Sequence, residues 1–287
     1  DVMIIDFEGE PRRPLDELDP ETSWIVSANG PHALYSQSPR FRALLHDFFD
    51  RFVKEEPNGF DRTPRVRIWH EVQAETKNPR WVTTDERWPI ERTPMRLFLR
   101  EDQLLTLRTA GRYEGTDTVT YPVPGPPATM GLGPQGWEGS SPSDSGSVSY
   151  TTGPLPQNLT FVGEGSADLW ISSTASDADL QVTVTEVRPD GKEVYVQRGW
   201  LRLSHRALDP VRSTDLRPFH PHTRAAQEDM PKNVPVLARI EILPFAHTFR
   251  EGSAIRVWLS SSRLSDASRA FSSAAIWRSI ACSRLSP

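Results

Sequence analysis

One histidine, His32, ends the run Trp24-Ile25-Val26-Ser27-Ala28-Asn29-Gly30-Pro31-His32. The apolar residues read as a short buried strand, Asn-Gly-Pro as a tight turn, and the histidine as a side chain presented on a loop. An imidazole titrates near neutral pH and can take the proton of a hydroxyl, so His32 is a candidate general base. Asp6 follows the apolar run Val2-Met3-Ile4-Ile5 and precedes His32 in the chain. It is the candidate acid that would orient the imidazole and stabilise the imidazolium. Glu8, Asp16 and Asp19 are rivals for that role. Taken alone, His32 reads more readily as a loop residue with no role, and most carboxylates in such loops are simply solvated.

The elements around these residues sharpen the reading. An amphipathic helix, Pro39 to Lys54, follows His32, with Phe41, Leu44, Leu45, Phe48, Phe49 and Phe52 at helical spacing. Strand, turn, histidine and helix in that order are how the sheet of an α/β-hydrolase ends. There the acid leaves the penultimate strand and the base leaves the last one. The usual nucleophile sits on a G-x-S-x-G elbow, and no G-x-S-x-G occurs in the 287 residues. The chain therefore reads as the back half of a serine hydrolase, with the base but without the nucleophile. It opens on Asp1 and runs straight into an apolar strand, which suggests a fragment or a processed product.

The other histidines carry less. His220-Pro221-His222 invites a metal reading, but no Cys or carboxylate stands at a ligand spacing that would support it. His247, before Phe249-Arg250-Glu251-Gly252, reads as a structural turn residue. His46 lies on the helix and His70 ends a strand. No metal and no cofactor are expected. Trp69, Trp81, Trp88, Trp170, Trp200 and Trp258 could line a sugar-binding face, or could fill a sandwich core or an interdomain seam.

A net charge of −5 with interspersed signs gives no reason to expect nucleic acid or anionic membranes as partners. The single Cys282 excludes an internal disulfide framework. It neither demands nor excludes secretion, and a cytoplasmic location is favoured. No run of about 18 apolar residues offers a membrane span.

With 26 Pro and 37% hydrophobic residues, the chain suits many short strands joined by Pro-marked loops. Residues 1 to 60 read as α/β. Beyond them, strands are expected at 65–69, 95–99, 114–121, 167–172, 180–187, 193–198, 200–204, 236–243 and 254–260. Pro189-Asp190-Gly191-Lys192 is read as a turn and residues 122–147 as a long loop. Period-two patterning in so many short strands argues an antiparallel sandwich of the jelly-roll type. The expected class is mainly β: a C-terminal jelly-roll β-sandwich over residues 61–260, preceded at 1–60 by the last strands and helix of an α/β-hydrolase domain. The tail, 261–287, fits no period. It reads either as a weak helix and loop or as an artefact in place of a final strand.

Specific segments then match a known family. Phe48-Phe49-Asp50-Arg51-Phe52-Val53-Lys54, Asn58-Gly59-Phe60 and Pro64-Arg65-Val66-Arg67 resemble the link between hydrolase core and C-terminal domain in the X-prolyl dipeptidyl-peptidase and cocaine-esterase family. So does Trp81 through Trp88-Pro89. The strongest match runs from Tyr150-Thr151-Thr152-Gly153-Pro154-Leu155 through Leu159-Thr160-Phe161-Val162-Gly163, Leu169-Trp170-Ile171-Ser172-Ser173 and Asp177-Ala178-Asp179-Leu180. It continues through Val187-Arg188-Pro189-Asp190-Gly191 and Gly199-Trp200-Leu201-Arg202 to Arg206. Ile242 to Val257 is similar to that domain's closing hairpin. The resemblance covers about residues 1 to 260.

The resemblance implies a catalytic domain, a helical cap and a C-terminal jelly roll, and cleavage of X-Pro peptides, esters or acyl amides by a Ser-Asp-His triad. It places His32 at the triad histidine and Asp6 near the acid. Nucleophile, oxyanion donors and cap would precede Asp1. The expected partners are the N-terminal half of the same hydrolase, or a partner chain carrying it, and a small-molecule ester or peptide substrate. A homo-oligomer is possible under this reading. The alternative is a non-catalytic β-sandwich module that binds a partner protein or carbohydrate. Such a module has no use for a strand-turn-histidine-helix unit with a wide apolar face.

Overall fold

The computed structural model describes residues 2–6, 23–28, 39–70, 80–88, 90, 93–109, 115–119, 147–261 and 280–284. Apolar runs at the start of the chain form β1 (Val2–Asp6) and β2 (Ser23–Ala28). With β3 (Val66–His70) and β4 (Trp81–Asp85) they make a four-stranded sheet in the order β1-β2-β3-β4. β2 and β3 are parallel, while β3 and β4 are antiparallel. β1 and β2 are also antiparallel, with Val2 opposite Ser27 and Asp6 opposite Ser23. Parallel neighbours need a chain that crosses back to the start of the strand; residues 7–22 instead join adjacent strand ends.

The helix α1 (Pro39–Phe52) forms as its spacing predicts, ending two residues before Lys54. Leu44 and Phe48, one turn apart, are buried, and Phe49 is half exposed. The Phe48 ring meets Phe52 at 4.9 Å and Phe60 edge-on at 5.7 Å. Asn58 fixes the turn that follows. Its amide nitrogen donates to the Asp47 carbonyl at 2.6 Å and its amide oxygen accepts from the Phe60 N–H at 3.0 Å.

Nine strands build the sandwich: β5 (Thr93–Arg100), β6 (Leu104–Thr106), β7 (Ser147–Thr151), β8 (Leu159–Ile171), β9 (Asp179–Val187), β10 (Glu193–Arg202), β11 (Val236–Phe249), β12 (Ala254–Ser261) and β13 (Ile280–Arg284). Their order is β10-β9-β12-β7-β6-β5-β13-β8-β11. The sheet curls, so both halves share one apolar core that includes Tyr150, Leu169, Val184, Ile240, Phe245 and Leu259. Its two end strands meet at Gly199 of β10. A Cβ on Gly199 would lie 1.7 Å from the carbonyl oxygen of Glu241 on β11, so only glycine permits the approach. The molecule is mainly β, as the alternation implied.

Several elements differ from expectation. The strand at 65–69 enters the small sheet, because its Val66 and Ile68 pack on Val162 and Ala246. Strand pairing thus runs across position 60. In place of strands at 193–198 and 200–204 there is one, Glu193–Arg202, with a register irregularity between Tyr195 and Gln197, and a 3₁₀ turn follows at Leu203–His205. Residues 115–119 form no strand, although Val119 is buried in the core and Asp117 accepts a hydrogen bond from the Tyr150 hydroxyl. The tail supplies β13, which pairs with β5 on one side and β8 on the other. No helix among the described residues is long and apolar enough to cross a membrane.

Candidate functional site

β2 carries the chain toward His32, which lies outside the described residues. The backbone of Asp6 is described and pairs with Ser23, at the start of β2. Residue 32 is reached from the other end, beyond Ala28. At roughly 3.3 Å per residue, the two ends of β2 are about 17 Å apart. Strand pairing alone therefore does not bring Asp6 to the exit toward His32. Glu8, Asp16 and Asp19 lie outside the described residues.

The exit from β2 lies beside the end of β3, where Ala28 pairs with Trp69. His70 is next, buried, with its Nε2 2.8 Å from the Thr83 hydroxyl and its ring stacked on Trp81 at 4.9 Å. This histidine is held by packing within the sheet. On the helix side, burial lowers the Arg67 pKa, against the opposing charge of Asp47 on α1.

The sandwich holds three clusters that could do chemistry. In the first, Glu186 of β9 is fully buried beside His247 of β11. His247 Nε2 donates to its carboxylate at 3.1 Å and the Arg250 N–H donates at 3.0 Å. His247 lies inside a strand, not on a turn, because that pairing turns it inward. Ser253, also fully buried, lies against the same carboxylate. Acid, imidazole and hydroxyl are the types of a triad, but here the acid is the shared neighbour. No solvent path reaches the Ser253 hydroxyl, so the cluster is structural.

The second cluster centres on Glu193, which accepts from Thr185 at 2.6 Å, Trp258 Nε1 at 2.5 Å and Arg256 at 2.8 Å. Its carboxylate bonds are committed to the sheet. The third gathers His205, His220 and His222. Sequence spacing linked only the last two. Among the described residues no three His, Cys, Asp or Glu side chains are placed to hold a metal.

The tryptophans do not share a face. Trp69 and Trp81 belong to the small sheet, Trp170 to β8, Trp200 to β10 and Trp258 to β12. Trp200 is the one exposed tryptophan among the described residues. Arg198 lies 4.7 Å over its ring, and Gln181 accepts from its Nε1 at 3.1 Å.

Comparison with known proteins places this architecture. Residues 58–269 match the model of the X-Pro dipeptidyl-peptidase C-terminal non-catalytic domain. A curated protein of Mycobacterium bovis, provisionally named a serine esterase, is 27% identical over 227 residues, or 73% of this chain and 34% of its own length. A CocE/NonD family hydrolase from Staphylococcus aureus superposes with a TM-score of 0.64 at 18% identity, covering 86% of this chain and 46% of that one. An α-amino acid ester hydrolase superposes with a TM-score of 0.59 at 17% identity, covering 84% and 44%. The chain thus spans about a third of the curated relative and less than half of the solved ones, and these structures show the likeness of fold. Matched over most of its length, the chain belongs to the family of X-Pro dipeptidyl-peptidase C-terminal domains.

Proposed function

We propose that this chain is the C-terminal portion of a serine hydrolase acting on an ester, an acyl amide or an X-Pro peptide. In this reading the sandwich is the non-catalytic domain and the chemistry is confined to residues 1–54. His32 is the general base. Asp6 is the first choice for the orienting acid, with Glu8, Asp16 and Asp19 on the same connection as the others. The serine and the oxyanion donors come from sequence outside these residues, on the same polypeptide or a partner chain.

The observation that carries the reading is adjacency. A strand-turn-histidine-helix unit stands directly before a domain whose relatives include hydrolases of this type. A module that only binds a protein or a carbohydrate accounts for the sandwich but leaves that unit without a use.

The test joins this chain to the N-terminal half of a relative, or to its own upstream sequence, and measures ester and dipeptide-amide turnover. His32→Ala is expected to lower kcat by roughly 10⁴–10⁶-fold, because triad members act as a unit. Asp6→Asn should lower it somewhat less. Turnover that survives His32→Ala refutes the assignment. Turnover that survives Asp6→Asn but not the change of another acid moves the acid's role to that residue.

A further inference from the structure

The irregularity in β10 gathers three side chains that a regular strand would separate. Tyr195 and Arg198 are three residues apart, so on an unbroken strand they would point to opposite faces. The extra residue between Tyr195 and Gln197 re-aims one of them. Tyr195 then stands opposite Thr185, Arg198 opposite Thr183 and Trp200 opposite Gln181. Leu180, Val182 and Val184 of β9 lie in the core, so all three of these pairs lie on the outer face of the sheet. There the Arg198 guanidinium lies 5.6 Å from the Tyr195 ring and 4.7 Å over the Trp200 ring. At such distances a ring face attracts a cation.

Trp200 is held in place although 43% of its surface is open. Its Nε1 donates to Gln181 at 3.1 Å, and the Gln181 amide nitrogen donates to the Thr183 hydroxyl at 3.0 Å. Gln181 and Thr183 are both buried. A ring fixed beforehand loses little freedom when a ligand covers it. Arg198 differs from the other cations of this face. Arg202 is forked onto Asp179 at 2.7 and 2.9 Å, and Arg256 bonds Glu193 at 2.8 Å. Glu193 also accepts from Thr185 and Trp258. Glu241, on the strand whose backbone meets Gly199, has Arg217 at 4.0 Å. Arg198 has no carboxylate within ion-pairing distance, and its guanidinium N–H groups have no acceptor, among the described residues. The outer face of β9, β10 and β12 thus sets Arg198, Arg202 and Arg256 against Asp179 and Glu193, and the positive charge left over is that of Arg198.

We propose that Tyr195, Arg198 and Trp200 form a binding site for a carboxylated sugar, such as a uronic acid unit of an acidic polysaccharide. The open part of the indole takes the C–H face of the sugar ring, and the guanidinium beside it takes the carboxylate through paired N–H donors. Two observations select this ligand over a protein. Trp200 is the one large apolar side chain exposed on β9, β10 and β12 among the described residues. A protein interface needs a wider apolar centre, whereas one sugar ring covers one indole. β10 also pairs with β9 along one edge and meets β11 at Gly199 on the other, which obstructs an added peptide strand. The site lies on the sandwich and does not depend on the scheme proposed for His32.

Isothermal titration of the full chain with tetragalacturonate tests this, with the neutral galactotetraose as its control. The acidic sugar should bind with a Kd of about 0.1–1 mM, and the neutral one at least about tenfold more weakly. Trp200→Ala and Arg198→Gln should each weaken binding of tetragalacturonate by about tenfold or more. Arg198→Lys keeps the charge but loses the fork, and should restore part of what Arg198→Gln removes. Arg198→Gln takes no buried group from the fold, so it decides the question even where Trp200→Ala unfolds. Absence of binding up to about 10 mM overturns the site. So does equal affinity for the neutral sugar, and so does binding that Arg198→Gln leaves unchanged. A glutamate-rich peptide that binds, and loses its binding in Arg198→Gln while tetragalacturonate gives no signal, overturns it in favour of an acidic protein segment.

Discussion

Glu186 has no exposed surface and is nevertheless held ionised. Burial by itself would raise its pKa. The hydrogen bonds from His247 and from the Arg250 N–H outweigh burial and bring the carboxyl down to about 2. Arg188 and Arg250 add positive charge at 3.9 Å. A carboxyl lowered from 4.5 to about 2 contributes about 3 kcal/mol at neutral pH. That contribution is complete above pH 4.5 and is lost as pH falls toward 2. Chemical denaturation of Glu186→Gln should therefore show a loss of about 3 kcal/mol at pH 7, and the gap to the parent should narrow steadily below pH 4.5. A gap that stays constant with pH would show that the loss is packing alone. The alternation of β9 sets Glu186 in phase with Leu180, Val182 and Val184, so a carboxylate on the apolar face is the sign the sequence carries, while its partners are not legible there. Its partners are 61 and 64 positions away, and only the fold brings them together. His32 and Asp6 stood out for the opposite reason: the signals of strand, turn and helix around them are local.

Elements were legible where a local rule suffices. α1 declares itself by apolar spacing, and Pro189-Asp190-Gly191-Lys192 by its residue types, with Gly191 at a φ of 81° and Lys192 N–H donating to Asp190 at 3.0 Å. β13 was not legible, because a strand paired on both sides needs no alternation and the Ser-rich tail shows none. Two helix variants separate burial from mere hydrophobicity. Phe48→Ala empties a site that is 2% exposed and should cost about 3–5 kcal/mol in denaturant unfolding. Phe49→Ala, at a position 50% exposed, should stay within about 0.5 kcal/mol. Equal effects would mean that another surface covers Phe49 in solution. In the sandwich, Gly199→Ala forces a methyl into backbone, where no side chain can yield. It should cost more than the roughly 1–3 kcal/mol of ordinary overpacking, and in a thermal melt the variant should unfold well below the parent. A normal melting temperature would show that β10 and β11 can separate freely.

The small sheet and the sandwich meet through Val66 and Ile68 against Val162 and Ala246, so β3 is covered on that side from within the chain. The β1 edge of the small sheet is open among the described residues, since β1 pairs only with β2. α1 also leaves Phe49 at 50% exposure, and Val53, one residue past its end, is at 64%. An open edge strand and an apolar helix stripe are the features that draw a second chain. With relatives roughly two to three times as long, the proposed occupant is the catalytic half, and without it the chain should associate with itself. Sedimentation velocity across a concentration series should then show concentration-dependent species, which co-expression with the catalytic half converts to a one-to-one complex. A compact monomer at every concentration would remove the reason for a missing half. The same preparation tests the chemistry. A histidine without a positioned nucleophile and oxyanion hole lacks the largest contributions to acyl transfer. The chain alone should hydrolyse p-nitrophenyl esters no faster than background and should take up no serine-directed fluorophosphonate. Since no serine in the 287 residues lies in a G-x-S-x-G motif, stoichiometric labelling of one of them would expose a nucleophile outside the proposed scheme and sink it.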